Sequence, residues 1–152
     1  MDPMLAPAQP SDIPWLLPMI EAFYAIDGYP FDPDATRRAV SDLLAEPALG
    51  GIWLVVIDDV TAGYAVVTLG YSLEFHGRDA FVDELYLHVE WRGRGIGTAV
   101  IDALVAECAA CGVKAVHLEV ETQNTPAQQL YRRAGFKDNN RHLWTRWIDA
   151  EG

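Results

Sequence analysis

The chain has 152 residues, enough for a single domain over 1–152 with a sizeable core. Eleven basic against twenty-two acidic residues leave a formal charge of −11, which repels phosphate backbones and excludes nucleic acid as an expected partner. Apolar residues make up 51% of the chain, yet no run approaches the roughly 18–20 residues that a membrane span needs. No basic stretch followed by an apolar one opens the sequence, so the expected compartment is the cytoplasm, with no membrane partner.

Ser11 and Asp12 start a helical pattern in which Ile13, Leu16, Leu17, Ile20 and Tyr24 share a face, with Pro14 near the first turn. Pro18 interrupts that pattern and predicts a kink. Residues 26–33 read as a loop, and a second helix is predicted over 34–46, before Pro47. The uniformly apolar 52–57 predicts a strand covered on both faces. Asp58-Asp59 marks a turn, and 62–69 is the hairpin partner. A polar loop at 74–79 leads to a strand at 81–87.

A long apolar helix follows over about 95–111, closed by Gly112. Cys108 and Cys111 fall at its end with no second ligand pair, so they read as small buried residues rather than a zinc, redox or disulfide site. Val116, Leu118 and Val120 alternate with His117, Glu119 and Glu121, a half-covered strand. Pro126 opens a short helix that ends near Gly135. After a turn at Asn139-Asn140, the aromatic stretch 143–148 predicts a last strand. Helices among strands and hairpins imply a mixed α+β fold.

The most informative stretch is L-Y-L-H-V-E-W-R-G-R-G-I-G-T-A at 85–99: a strand, a glycine-rich turn and a helix start. Glycine lets the backbone approach a ligand, and the first helical turn offers unpaired N–H groups and a favourable dipole. A diphosphate suits such a place, and Arg92 and Arg94 add cationic donors. A P-loop would need Gly-Lys-Ser or Gly-Lys-Thr, which is absent; a dinucleotide fold would need G-x-G-x-x-G in an early βαβ unit, also absent.

R-G-R-G-I-G-T resembles the acyl-CoA signature of the GNAT superfamily, and L-E-V-E-T-Q-N-T-P-A-Q-Q-L-Y-R-R-A-G-F at 118–136 resembles its downstream motif. The two occur in the family's order. The resemblance implies a largely antiparallel sheet of six to seven strands, splayed in the middle for acetyl-CoA and flanked by about four helices. It puts Leu85 and Leu87 on the pantetheine arm, with Val89 at a position where the family commonly has proline. It puts Arg92, Gly93, Arg94, Gly95, Ile96, Gly97 and Thr98 on the diphosphate, Asn124 and Ala127 beside the coenzyme, and Tyr131 near its sulfur. Asn124 also suits a helix cap, and Tyr131 could equally be core packing.

The run F-V-D-E-L-Y-L-H-V-E-W-R-G-R-G-I-G is similar to that of spermidine/spermine acetyltransferases, which implies Asp83 as a base and Glu84 as an amine-binding acid. Adjacent strand residues face opposite sides unless a bulge intervenes, so which acid does which stays open. Tyr29 and Phe31, beside Asp27 and Asp32, are expected at the acceptor rim, where rings and carboxylates suit a cation. The four histidines form no metal-binding spacing, so no metal is expected. The expected protein is an acetyl-CoA-dependent N-acetyltransferase of a small cationic amine, polyamine-like or aminoglycoside-like, and a homodimer. The alternatives are a protein lysine or N-terminal acetyltransferase and a non-catalytic acetyl-CoA-binding regulatory module.

Overall fold

A computed structural model describes residues 2–149. Its core is a five-stranded sheet in chain order: β1 (Met4–Pro7), β2 (Gly50–Ile57), β3 (Val60–Ser72), β4 (Gly77–Leu87) and β5 (Ala115–Leu118). The first four strands pair antiparallel, and β5 pairs parallel to β4. Four helices flank it: α1 (Ile13–Ile26), α2 (Pro33–Ala45), α3 (Ile96–Ala110) and α4 (Thr125–Arg133).

The two apolar faces of β2 are both used. Val55 and Ile57 join α3 residues in one core, while Ile52 packs with Leu16, Met19 and Ile20 of α1 and Val40 of α2 in the other. On α3, Ile96, Val100, Ile101, Leu104 and Cys108 recur at helical spacing and are buried. Asp58 and Asp59 both take positive φ (50° and 63°), the tight hairpin geometry that their position predicts. Asp32 caps α2, its carboxylate accepting from the N–H groups of Asp34 and Ala35 at 3.1 Å each, and Pro33 takes the first helical position.

Pro18 lies inside α1, and its exposed position leaves the carbonyl it frees on the solvent side. Several expectations need correction. Residues 4–7 form an edge strand against β2 that was too short to show alternation. Strand β5 ends at Leu118, so Glu119, Val120 and Glu121 lie beyond the sheet. Cys108 is buried but Cys111, at the helix end, is exposed. Most important, the sheet has five described strands rather than six or seven. The aromatic stretch 143–148 has strand-forming residues but no partner strand, and a strand exists only through its ladder.

Candidate active site

Strands β4 and β5 pair only from Asp79↔Ala115 to Val82↔Leu118. Strand β4 then continues to Leu87 while the chain beyond Leu118 leaves the sheet. Among the described residues, no strand pairs with the β5-facing edge of 83–87. A cleft with a bare strand edge on one wall therefore opens in the sheet, and such an edge can hydrogen-bond an extended ligand.

At the top of that cleft lies a bulge. Val66 pairs with Glu84 and Val67 with Val82, so Asp83 is the extra residue on β4. The consequence is readable in the packing: Ala80 and Val82 face the α3 core, but beyond the bulge the same face is taken by Leu85 and Leu87. Glu84 and Tyr86 are thereby turned toward α1. Glu84 accepts hydrogen bonds from Tyr24 (2.6 Å) and Tyr64 (2.7 Å). Burial pushes the Glu84 carboxyl above its usual range; the two phenols work against that rise and the Asp83 charge adds to it. Asp83 is raised by desolvation as well and makes no side-chain hydrogen bond among the described residues. Desolvation and hydrogen bonds to Glu84 push both phenols well up.

Two further carboxylates reach this end from the segment after β5. Glu119 is raised by burial and then by the charges of Asp83 and Glu121. Glu121 accepts a hydrogen bond from the Tyr29 hydroxyl, which links the α1–α2 loop across to that segment. Phe31 stacks edge-on against Tyr24, with centroids 6.1 Å apart. Asp32, expected at this rim, is engaged in capping α2 instead.

At the other end, the turn after β4 enters α3. Gly93 (φ 75°) and Gly95 (φ 78°) both occupy the left-handed region, where a side chain would be strained. Gly95 is the N-cap of α3, and no side chain caps that end. A cavity of about 280 Å³ opens there, lined by Leu87, Arg92, Gly93, Gly95, Gly97, Thr98, Leu130 and Arg133. Gly97 is required by close packing, since a Cβ would meet Leu130 Cδ1 at 2.8 Å. Arg92 donates through Nε to the Leu87 carbonyl (2.9 Å) and lies over the Tyr86 ring; Arg94 lies over Trp91. An uncapped helix start, two left-handed glycines and two lining arginines, Arg92 and Arg133, fit a diphosphate.

The remaining expected residues lie nearby. Asn124 caps α4, its Oδ1 accepting from the Ala127 N–H (3.2 Å). Tyr131, on the same helix, is half-buried against the α3 core and Phe136, and burial raises its phenol. Val89 is exposed at a short 3₁₀ turn. Sequence reasoning missed Arg133, Tyr24, Tyr64 and Glu121. Arg133 carried a signal, a basic residue in the last turn of a helix that must pack against the glycine-bearing one. The tyrosines carried none, because their meeting at Glu84 is long-range. Among the described residues no cluster of three or more ligating side chains could hold a metal.

A mixed sheet splayed at its centre, with an uncapped, glycine-rich helix start beneath the split, is the architecture of acyl-CoA-binding transferases. This chain belongs to the GNAT acetyltransferases: the family model described as "Acetyltransferase (GNAT) family" matches residues 17–136. It is 34% identical over 115 residues to mycothiol acetyltransferase of Clavibacter michiganensis subsp. michiganensis, covering 75% of this chain and 36% of that protein. It is 30% identical over 76 residues to thialysine N-epsilon-acetyltransferase of Bos taurus, covering 50% of this chain and 44% of that protein. The matches thus span less than half the length of either relative. Among solved structures, an integron cassette protein from the mobile metagenome of Cole Harbour Salt Marsh is 33% identical with a TM-score of 0.84, over 95% of this chain and 90% of that one. A predicted acetyltransferase from Clostridium acetobutylicum with acetyl-CoA shares the fold at 20% identity and a TM-score of 0.78, over 95% and 96%.

Proposed function

We propose that this chain transfers acetyl from acetyl-CoA directly to the primary amine of a small cationic acceptor. One observation carries the reading: the bare edge of β4 runs from a pair of carboxylates at one end to the glycine turn of α3 at the other. Acetyl-CoA brings the acetyl group as an activated thioester. The chain supplies backbone hydrogen bonds from Leu85 and Leu87 for an extended arm. N–H groups of the first turn of α3, with Arg92, Arg94 and Arg133, hold the diphosphate.

An alkylamine has a pKa of about 10.4 and must lose a proton before it attacks. Asp83, with its pKa raised by burial and no side-chain donor on its oxygens among the described residues, is the better base. Glu84 is held by two phenols and suits orienting the amine. The departing thiolate resembles a free thiol with a pKa of about 8.5, and Tyr131 of α4, kept protonated by burial, is our candidate to return a proton to it. Transfer needs no acyl-enzyme. Cys108 is buried in the core, and Cys111 lies about 22 Å along α3 from the glycine turn at 1.5 Å per residue.

The acceptor class follows from Asp83, Glu84, Glu119 and Glu121, whose charges reach one another, with Tyr29 and Phe31 beside them. Such a wall favours a cation carrying more than one charge, polyamine-like or aminoglycoside-like. The name of the thialysine relative likewise speaks of an ε-nitrogen acceptor. The test is thiol release from acetyl-CoA against a panel of small amines and lysine peptides. Turnover of small polycationic amines is expected. Preference for peptides would make this a protein acetyltransferase, and coenzyme binding without turnover of any amine would make it a regulatory acyl-CoA-binding module.

A further inference from the structure

The sheet forks at a defined point. Val82 and Leu118 are the last paired residues of β4 and β5, so Asp83 and Glu84 lie on one arm of the fork and Glu119 to Glu121 on the other. Helix α3, whose start serves the coenzyme in the reading above, packs in one core, while α1 and α2 pack in the other. The acceptor is thus left the side of the fork on which α1 and α2 lie, and across that approach the chain lays a connection.

Residues 27–32 join α1 to α2, and both ends of this loop are fixed. Gly28 takes φ 72° and donates to the Ala25 carbonyl (3.3 Å), while the Tyr29 N–H returns to the Tyr24 carbonyl (2.9 Å), a glycine-terminated helix end. At the far end Asp32 caps α2. The loop is tied to the β4 arm through Tyr24, which donates to Glu84 and meets Phe31 ring to ring. From there the Tyr29 hydroxyl reaches the opposite arm and donates to Glu121. Glu121 is anchored in turn, its carbonyl accepting from the Asn124 N–H (3.0 Å) and Gln128 Nε2 (3.2 Å), which tie it to α4.

We propose that the Tyr29–Glu121 bridge is a strap across the acceptor entrance that sets acceptor size: a slender free amine passes beneath it and is acetylated, and a lysine borne on a polypeptide is kept out. The proposal rests on the acetyl-transfer reading and deepens it by assigning the exclusion to two side chains. A lysine within a peptide carries chain on both sides of its Cα and needs an entrance open at the rim; a polyamine enters end-on. The bridge uses one carboxylate oxygen of Glu121, so that residue can hold the strap and still offer the other oxygen to a small cation.

The test compares kcat/KM for spermidine with that for a short peptide bearing one internal lysine, at saturating acetyl-CoA. Tyr29→Phe keeps the ring and removes the bridge. It should raise the peptide-to-spermidine ratio about tenfold, mainly through a lower KM for the peptide, the size expected for losing one hydrogen bond to a charged group. Glu121→Ala should do the same. Glu121→Gln, whose amide oxygen still accepts from the phenol, should leave the ratio within about threefold of the wild type. A ratio unmoved by Tyr29→Phe, or raised as far by Glu121→Gln as by Glu121→Ala, would overturn the strap and leave acetyl transfer intact. Wild-type turnover of the peptide as fast as of spermidine would overturn it too. Turnover of no amine at all would instead sink the acetyl-transfer reading, and the strap's part in selection with it.

Discussion

On either side of the short β4–β5 pairing lies an open stretch of backbone, and the two are lined by opposite chemistries. The inner edge, residues 83–87 of β4, is flanked by carboxylates above and by glycines and arginines below. The outer edge, along β5, is flanked by Val105, Phe75 and Phe136, with an exposed aromatic arm nearby. Both offer the same N–H and C=O groups. The side chains differ: carboxylates, glycines and arginines beside one edge, apolar and aromatic groups beside the other. An unpaired edge is thus only half a statement about binding.

The sharpest way to break the inner-edge reading is Asp83→Asn. Loss of a general base should lower kcat by about 10²–10⁴-fold, while calorimetric affinity for coenzyme A, whose proposed contacts lie at the far end, stays unchanged. Unaltered turnover would take Asp83 out of the chemistry. Next in size, Tyr131→Phe should lower kcat by about 10²-fold, the low end for proton transfer, with a smaller deficit for acyl donors whose leaving thiol is more acidic. At the turn, Gly95→Val forces a branched side chain into the left-handed region, costing about 1–3 kcal/mol, so coenzyme A affinity should drop about tenfold. An equal drop for Val89→Ala, outside the cavity lining, would deny the turn its special place.

The smallest effect concerns pH. The base works ionised, and both Asp83 and Glu84 titrate above the ordinary carboxylate range. Hence kcat/KM should rise with pH and level off later than an unperturbed acid would allow. Stability runs the opposite way: an acid with a raised folded pKa contributes most while both states are protonated, and that contribution is lost as pH rises through the folded value. Asp83→Asn should therefore melt no lower than the wild type at pH 7. Tyr24→Phe removes a hydrogen bond that lowers the Glu84 pKa, so Glu84 should titrate still higher. The acid limb of kcat/KM should hold its place if Asp83 is the base; an upward move would transfer the role to Glu84.

Much of the candidate cofactor half was legible in one dimension because its parts are contiguous. Strand, glycine turn and helix start occupy residues 85–99, and the phosphate-binding logic needs only their order. The acceptor half was not. Asp83 and Glu84 could be named, but their division of labour depends on a bulge defined by pairing with β3, and Tyr24, Tyr64 and Glu121 come from distant segments. The last strand failed for a related reason: β propensity in 143–148 describes a willingness to pair, and no described strand accepts it.

By itself, then, the order of residues determined a mixed fold with a glycine-rich, uncapped helix start, because hydrophobic period, turn glycines and capping act over a few neighbouring positions. Only the tertiary structure decided which carboxylate points where, that Arg133 joins the turn, and that the outer edge of β5 stands open. Those outcomes depend on register and on contacts between segments tens of residues apart, which local propensity does not encode.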